Sequence, residues 1–193
     1  MPLKVSIRRC LLCAAAALTS FASLAQAPPA PGSNDAKTVA DFQQRAKQYL
    51  DWRKKTAKSP SAGNSPEKLI AERHELADTV RVGRAGAKQG EIFTPDAADY
   101  FRRQIAVTLS GRHGKRIRSS LRHSEPTEME LQINQSYPGK VALQSTPPTL
   151  LLTLPELPKG LEYRILGREL VLRDSDANIV VDYVPNALPG KSK

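Results

Sequence analysis

Asp174-Ser175-Asp176-Ala177-Asn178 places three oxygen-bearing side chains at alternate positions, as in the opening of a calcium loop. Hard cations take such oxygens. The sixth position, however, is Ile179 where that loop needs glycine, and the twelfth is Pro185 where it needs glutamate. The segment therefore reads as a hairpin turn, with Asp and Asn side chains bonding to nearby backbone. The histidines, His74, His113 and His123, lack the close spacing of metal ligands on one helix face, and two of them stand among cations. Ser119 and Ser120 lie near His123 without the strained elbow or oxyanion motif of a serine hydrolase. Gly83, Gly86 and Gly90 do not form a phosphate loop, and Arg84 and Lys88 beside them read as a solvated helix end. Trp52 next to Lys54 and Lys55 could stack on a sugar or a base. At a helix C-terminus it reads more simply as a core anchor, with the lysines complementing the dipole. Nothing in these patterns assigns a catalytic residue, a metal ligand or a cofactor.

The charge pattern is more pointed. The chain carries a formal net charge of +10, and it is unevenly spread. From Asp35 to His123 there are 19 lysines and arginines against 10 carboxylates, whereas from Glu125 onward there are 7 against 9. Between Tyr100 and Ser124 stand Arg102, Arg103, Arg112, Lys115, Arg116, Arg118 and Arg122, with no carboxylate among them. This is the candidate anion-binding patch. A positive face attracts polyanions through long-range steering and counterion release. In a cell envelope these are anionic lipid headgroups, lipopolysaccharide or acidic glycans, and another envelope protein is a further possible partner. No specific nucleic acid is implied. The plain alternative is a solvated helix face that keeps the protein soluble.

The first residues supply the address. Lys4, Arg8 and Arg9 precede an apolar run of 15 residues, Cys10 to Leu24, which ends in small residues. That is the pattern of a cleavable secretory signal, and the run is shorter than the roughly 20 residues of a spanning helix. Cleavage after Ala25 leaves Gln26 first, and cleavage after Ala27 leaves Pro28. Arg8-Arg9 admits the twin-arginine route beside the general one. Cys13 lies too early for lipid attachment. Both cysteines, Cys10 and Cys13, fall within the signal, so the exported chain would have no thiols and no disulfides.

The elements follow from period and punctuation. Pro28 to Ala36 reads as a linker. A first helix is expected from Thr38, with Val39, Phe42, Ala46, Tyr49, Leu50 and Arg53 on one stripe. Ser65-Pro66-Glu67 and Thr94-Pro95-Asp96 both combine cap, N1 proline and first-turn acid, and so start two more helices. Leu69, Ile70, Leu76, Ala77 and Val80 supply the apolar face of the second, which could run on toward Lys88. Ala97, Phe101, Ile105 and Leu109 supply that of the third, with Gly111 as its stop. Lys115 to Leu121 reads as a short helix or a loop. Met129, Leu131 and Ile133 then alternate with polar residues, which predicts a half-buried strand, and Val141 and Leu143 suggest another. Pro147-Pro148 could open a short helix toward Leu154. The tail reads as a meander: Leu161 to Leu166, a Gly167-Arg168 type II′ turn, Glu169 to Arg173, and Ile179 to Val184. Ile179-Val180-Val181, apolar on both faces, is expected to be central or covered.

Leu154-Pro155-Glu156-Leu157-Pro158, Tyr163-Arg164, Gly167, Leu170, Leu172, Asp174, Ala177-Asn178, Val181-Asp182 and Pro185-Asn186-Ala187 together resemble the tail of a family of uncharacterised exported bacterial proteins. Phe93-Thr94-Pro95 with Tyr100-Phe101-Arg102-Arg103 is similar to that family's middle. The resemblance implies export but no activity. The hairpins also have a weaker likeness to periplasmic nickel/cobalt homeostasis proteins, without their histidine-rich features.

The expectation is an α+β protein: a signal over 1–25, a linker over 26–37, and one domain over 38–193. Its basic helical part spans 38–123 and its β-rich part 124–193. The functional expectation is a non-enzymatic binding or assembly module in the periplasm or outside the cell. The alternatives are an envelope enzyme with a dispersed site and a periplasmic metal-handling protein.

Overall fold

Capping grammar starts two helices where it was expected. In the computed structural model, which describes residues 33–57, 65–122, 130–137 and 147–189, α2 spans Pro66–Gly83 and α3 spans Pro95–Ser110. The Ser65 side chain accepts from the Lys68 N–H at 3.3 Å, and Thr94 accepts from Ala97 at 3.4 Å. Each satisfies a helix N–H that has no partner within its helix. α1 spans Ser33–Thr56, so it begins five residues before the expected Thr38, inside the segment read as linker. The early start is favoured by Asp35 in the first turn, which complements the helix dipole and pairs with Arg103 of α3 at 2.6 Å. The ambiguous stretch after α3 is a helix, α4, Gly114–Arg122, and α5 is a single turn, Pro148–Leu151.

The tail forms a three-stranded antiparallel sheet in the order β1-β2-β3, with β1 Leu161–Leu166, β2 Glu169–Asp174 and β3 Ile179–Val184. Gly167 has φ +59° and Arg168 does not share the positive sign, as a type II′ turn requires. The fold is therefore α+β, as expected. β2 is central and β3 lies at the side, yet β3 is covered. Its outer edge is bonded by Asn134 N–H to the Val180 carbonyl at 2.8 Å and by Val180 N–H to the Gln135 carbonyl at 2.9 Å.

One face of the sheet carries the main core. Phe42 of α1 stacks on Phe93 with centroids 5.1 Å apart, and Phe101 of α3 meets both rings edge-on at 4.9 and 5.0 Å. Tyr163 of β1 closes the group. Aromatic pairs of this kind add about 0.5–1.5 kcal/mol each beyond burial. The expected stripes hold for α1 and α3: Phe42, Ala46, Tyr49 and Leu50, and Ala97, Phe101, Ile105 and Leu109, are all buried. The stripe of α2 holds only at its C-terminal end. Ala77 and Val80 are buried, but Leu69 and Ile70 are exposed, because the first turns of α2 reach past the body they were expected to cover. The helix stops at Gly83, short of Lys88.

The other sheet face holds a smaller cluster of Leu131, Tyr137, Leu166, Val171 and Val180. The strand expected at Met129–Ile133 is not formed within the described residues. Leu131 is buried as its alternation implies, but Asn134, at φ +65°, turns the chain, leaving one bridge between Ser136 and Ile179. The possible strand at Val141 and Leu143 lies outside the described residues. No helix among the described residues is long and apolar enough to cross a membrane.

The register of β3 departs from strict alternation. Leu172 faces Asp182 while Arg173 faces Val180, so Val181 is an extra residue, a β-bulge. Asp182 is thereby aimed at the helical side.

Candidate functional site

The cations of the expected patch whose side chains are described differ in their partners. Arg102 on α3 bonds Asp99 at 2.7 Å and donates to the Pro185 carbonyl at 3.0 and 3.2 Å, tying the helix to the residues after β3. Arg103 is held by Asp35. Both are thus neutralised by carboxylates from outside the Tyr100–Ser124 run. Arg118 donates to the Leu109 carbonyl at the end of α3. Arg112, Lys115 and Arg116 are exposed, and no carboxylate among the described residues lies within ion-pair reach of them. Arg122 ends α4, and its side chain lies outside the described residues. Among the described side chains, the patch therefore contracts to Arg112, Lys115, Arg116 and Arg118, at the α3–α4 corner.

Gly114 makes that corner. A Cβ there would lie 1.7 Å from the Leu109 carbonyl oxygen, so only glycine lets α4 start directly against the end of α3. Ile117 is buried and Leu121 packs partly on the core, which turns the cations of α4 outward.

The acidic turn is a structural lock. Asp174 is fully buried, and its Oδ1 accepts from Arg53 Nη1 at 2.6 Å and from the Asp176 and Ala177 N–H groups at 2.9 Å. Its Oδ2 accepts from the Tyr49 hydroxyl at 2.7 Å, and Arg53 Nη2 reaches Asp176 at 2.8 Å. Asn178 Oδ1 accepts from Arg173. A guanidinium occupies the place a cation ligand set would need, in line with the turn reading. Burial, with the Asp174 charge beside it, pushes the Tyr49 hydroxyl far above its ordinary range. For Arg53, burial opposes the charge, and Asp174 and Asp176 outweigh it to hold the guanidinium protonated.

A cleft of about 510 Å³ opens between α1, the end of α2 and the loop before α3. Arg45, Gln48, Trp52, Arg84 and Glu91 line it. Its cations are already engaged. Arg45 pairs with Asp41 at 2.8 Å and donates to the Glu91 carbonyl. Arg84 does not solvate a helix end as its sequence setting suggests. It lies over the Tyr49 ring at 5.1 Å and donates to Asn134 Oδ1 at 3.1 Å and the Val181 carbonyl at 3.2 Å. Trp52 packs against Gly83, where a Cβ would come within 2.4 Å of the indole. The loop itself is fastened by Asp182, whose carboxylate accepts N–H groups of Gly90, Ile92, Phe93 and Tyr183 at 2.8–2.9 Å.

Among the described residues, no three histidine, cysteine or carboxylate groups converge. His74 and His113 are exposed on separate elements, and His123 lies outside the described residues, as does any pairing of it with Ser119 or Ser120. No protein-family model matches the chain, and no curated protein or solved structure does either.

Proposed function

We propose that this chain is an exported, non-enzymatic module of the cell envelope that docks on polyanionic material through the α3–α4 corner. The observation that supports it is the set of exposed Arg112, Lys115 and Arg116, which have no carboxylate partner among the described residues while Arg102 and Arg103 do. Arg102 and Arg103 are tied into the fold by their partners. Cations held outward at a rigid corner carry a field that steers anions toward it. The basic, apolar and small-residue sequence of the first 25 residues supports export, and so does the likeness to exported bacterial proteins.

The test is binding to a soluble polyanion, heparin, across a salt series, with the chain that begins at Gln26. Affinity should fall steeply toward physiological salt, where the Debye length is about 8 Å. Arg112→Gln, Lys115→Gln and Arg116→Gln together should remove most of it without moving the melting temperature. Arg118 is left intact because it holds the end of α3. A triple variant that binds like the parent would sink the proposal, as would a parent that binds nothing at low salt.

A further inference from the structure

The last turn of α3 is flanked by apolar side chains that the core does not use. Leu152 is 86% exposed, Val107 62% and Leu151 38%. Leu150, between Pro148 and these leucines, is fully buried. Adjacent residues of one helical turn point in different directions, so anchoring Leu150 inward drives Leu151 and Leu152 out. The two segments are joined by a hydrogen bond from Thr108 to Thr153 at 3.0 Å, so the backbones that carry Val107 and Leu152 lie close together. Arg118 reaches the same turn from α4 through the Leu109 carbonyl. Around the end of α3 there are thus exposed leucines and a valine, together with cations that have no carboxylate partner among the described residues.

Single exposed apolar residues are ordinary on protein surfaces, but several around one helix end that also carries cations without a carboxylate partner among the described residues are the chemistry of an interfacial membrane site. Cations meet anionic headgroups, and aliphatic side chains enter the boundary where acyl chains begin. A soluble glycan or polyphosphate would satisfy the cations and leave the leucines in water. We infer that the polyanion is an anionic lipid bilayer, met by Arg112, Lys115, Arg116 and Arg118 at the headgroups and by Leu151, Leu152 and Val107 just beneath them. This rests on the proposed anion-docking role of the corner and specifies its partner.

Vesicles of phosphatidylglycerol, vesicles of phosphatidylcholine and heparin separate the readings, again with the chain from Gln26. The parent should sediment with phosphatidylglycerol vesicles and not with phosphatidylcholine. That binding should fall toward the phosphatidylcholine level at about 1 M salt, where the Debye length is about 3 Å and the headgroup attraction is screened. The Leu151→Ser/Leu152→Ser variant should lose about tenfold or more in affinity for phosphatidylglycerol vesicles. It should bind heparin like the parent and keep a cooperative melt, lowered by no more than a few degrees, since Leu152 is exposed and Leu151 is only partly covered. Equal vesicle binding by variant and parent would overturn the bilayer inference. A parent that binds heparin but not phosphatidylglycerol vesicles would overturn it too, while leaving the polyanion role in place. A parent that binds none of the three would overturn both.

Discussion

Arg53 is the residue on which the joint between helices and sheet turns. It sits in line with Phe42, Ala46, Tyr49 and Leu50 on α1, and it is buried. Asp174 lies 121 positions further along the chain, fully buried against it. Removing one partner of a buried ion pair strands the other charge, which costs about 3–5 kcal/mol. Arg53→Leu should therefore lower the unfolding free energy by that order in a urea titration. A change under about 1 kcal/mol, the scale of an exposed pair, would show that solvent reaches Asp174. An arginine within an apolar stripe is a sequence signal that a carboxylate must face it. Which carboxylate was not legible, because the partner is distant in sequence and looked like a turn or cation ligand. Charge counting along Tyr100–Ser124 missed one distant partner, and one local partner that stands just ahead of the counted stretch. Asp35 and Asp99 lie outside that stretch and neutralise two of its seven cations in space.

Elements were legible where local chemistry decides them. Serine or threonine, proline and acid in succession mark α2 and α3 because each supplies a specific need of a helix N-terminus. The meander is legible because three apolar runs are spaced by turn residues. Features set by tertiary contact were not. The bulge at Val181 inserts one residue into the period and sends Asp182 to the helical face. Asn134 ends the alternation that predicted a strand. At the α3–α4 corner a local residue again decides. Gly114→Ala would put a methyl 1.7 Å from a carbonyl oxygen, so α4 must tilt or unwind. The cost should exceed the roughly 1 kcal/mol gain that glycine-to-alanine gives inside an unstrained helix. Melting should shift downward, and amide exchange in α4 should speed up ahead of exchange in the sheet. An unchanged or raised melting temperature would mean that the corner is loose enough to take a side chain.

At the scale of the whole molecule, the core is assembled from both ends of the chain. Ile179, Val180, Val181 and Val184 of β3 are fully buried, and Asp182 fastens the loop ahead of α3. Truncating one buried aliphatic side chain costs about 2–5 kcal/mol, against a typical total of 5–15 kcal/mol. A chain ending at Asp174 should give no cooperative thermal transition. A melt like that of the parent would show that the helices and two strands suffice.

That dependence on the final strand has a consequence for the order in which the chain is made. Synthesis, and passage through any narrow pore, delivers Phe42, Phe93 and Phe101 first and β3 last. Until β3 emerges, the sheet is incomplete, the Gly90, Ile92 and Phe93 amides lack their carboxylate, and the long-range contacts that repay loop closure are only partly made. A polypeptide still held at its C-terminus is thus kept from locking into shape, and it remains a thread that can be moved until its last strand is free.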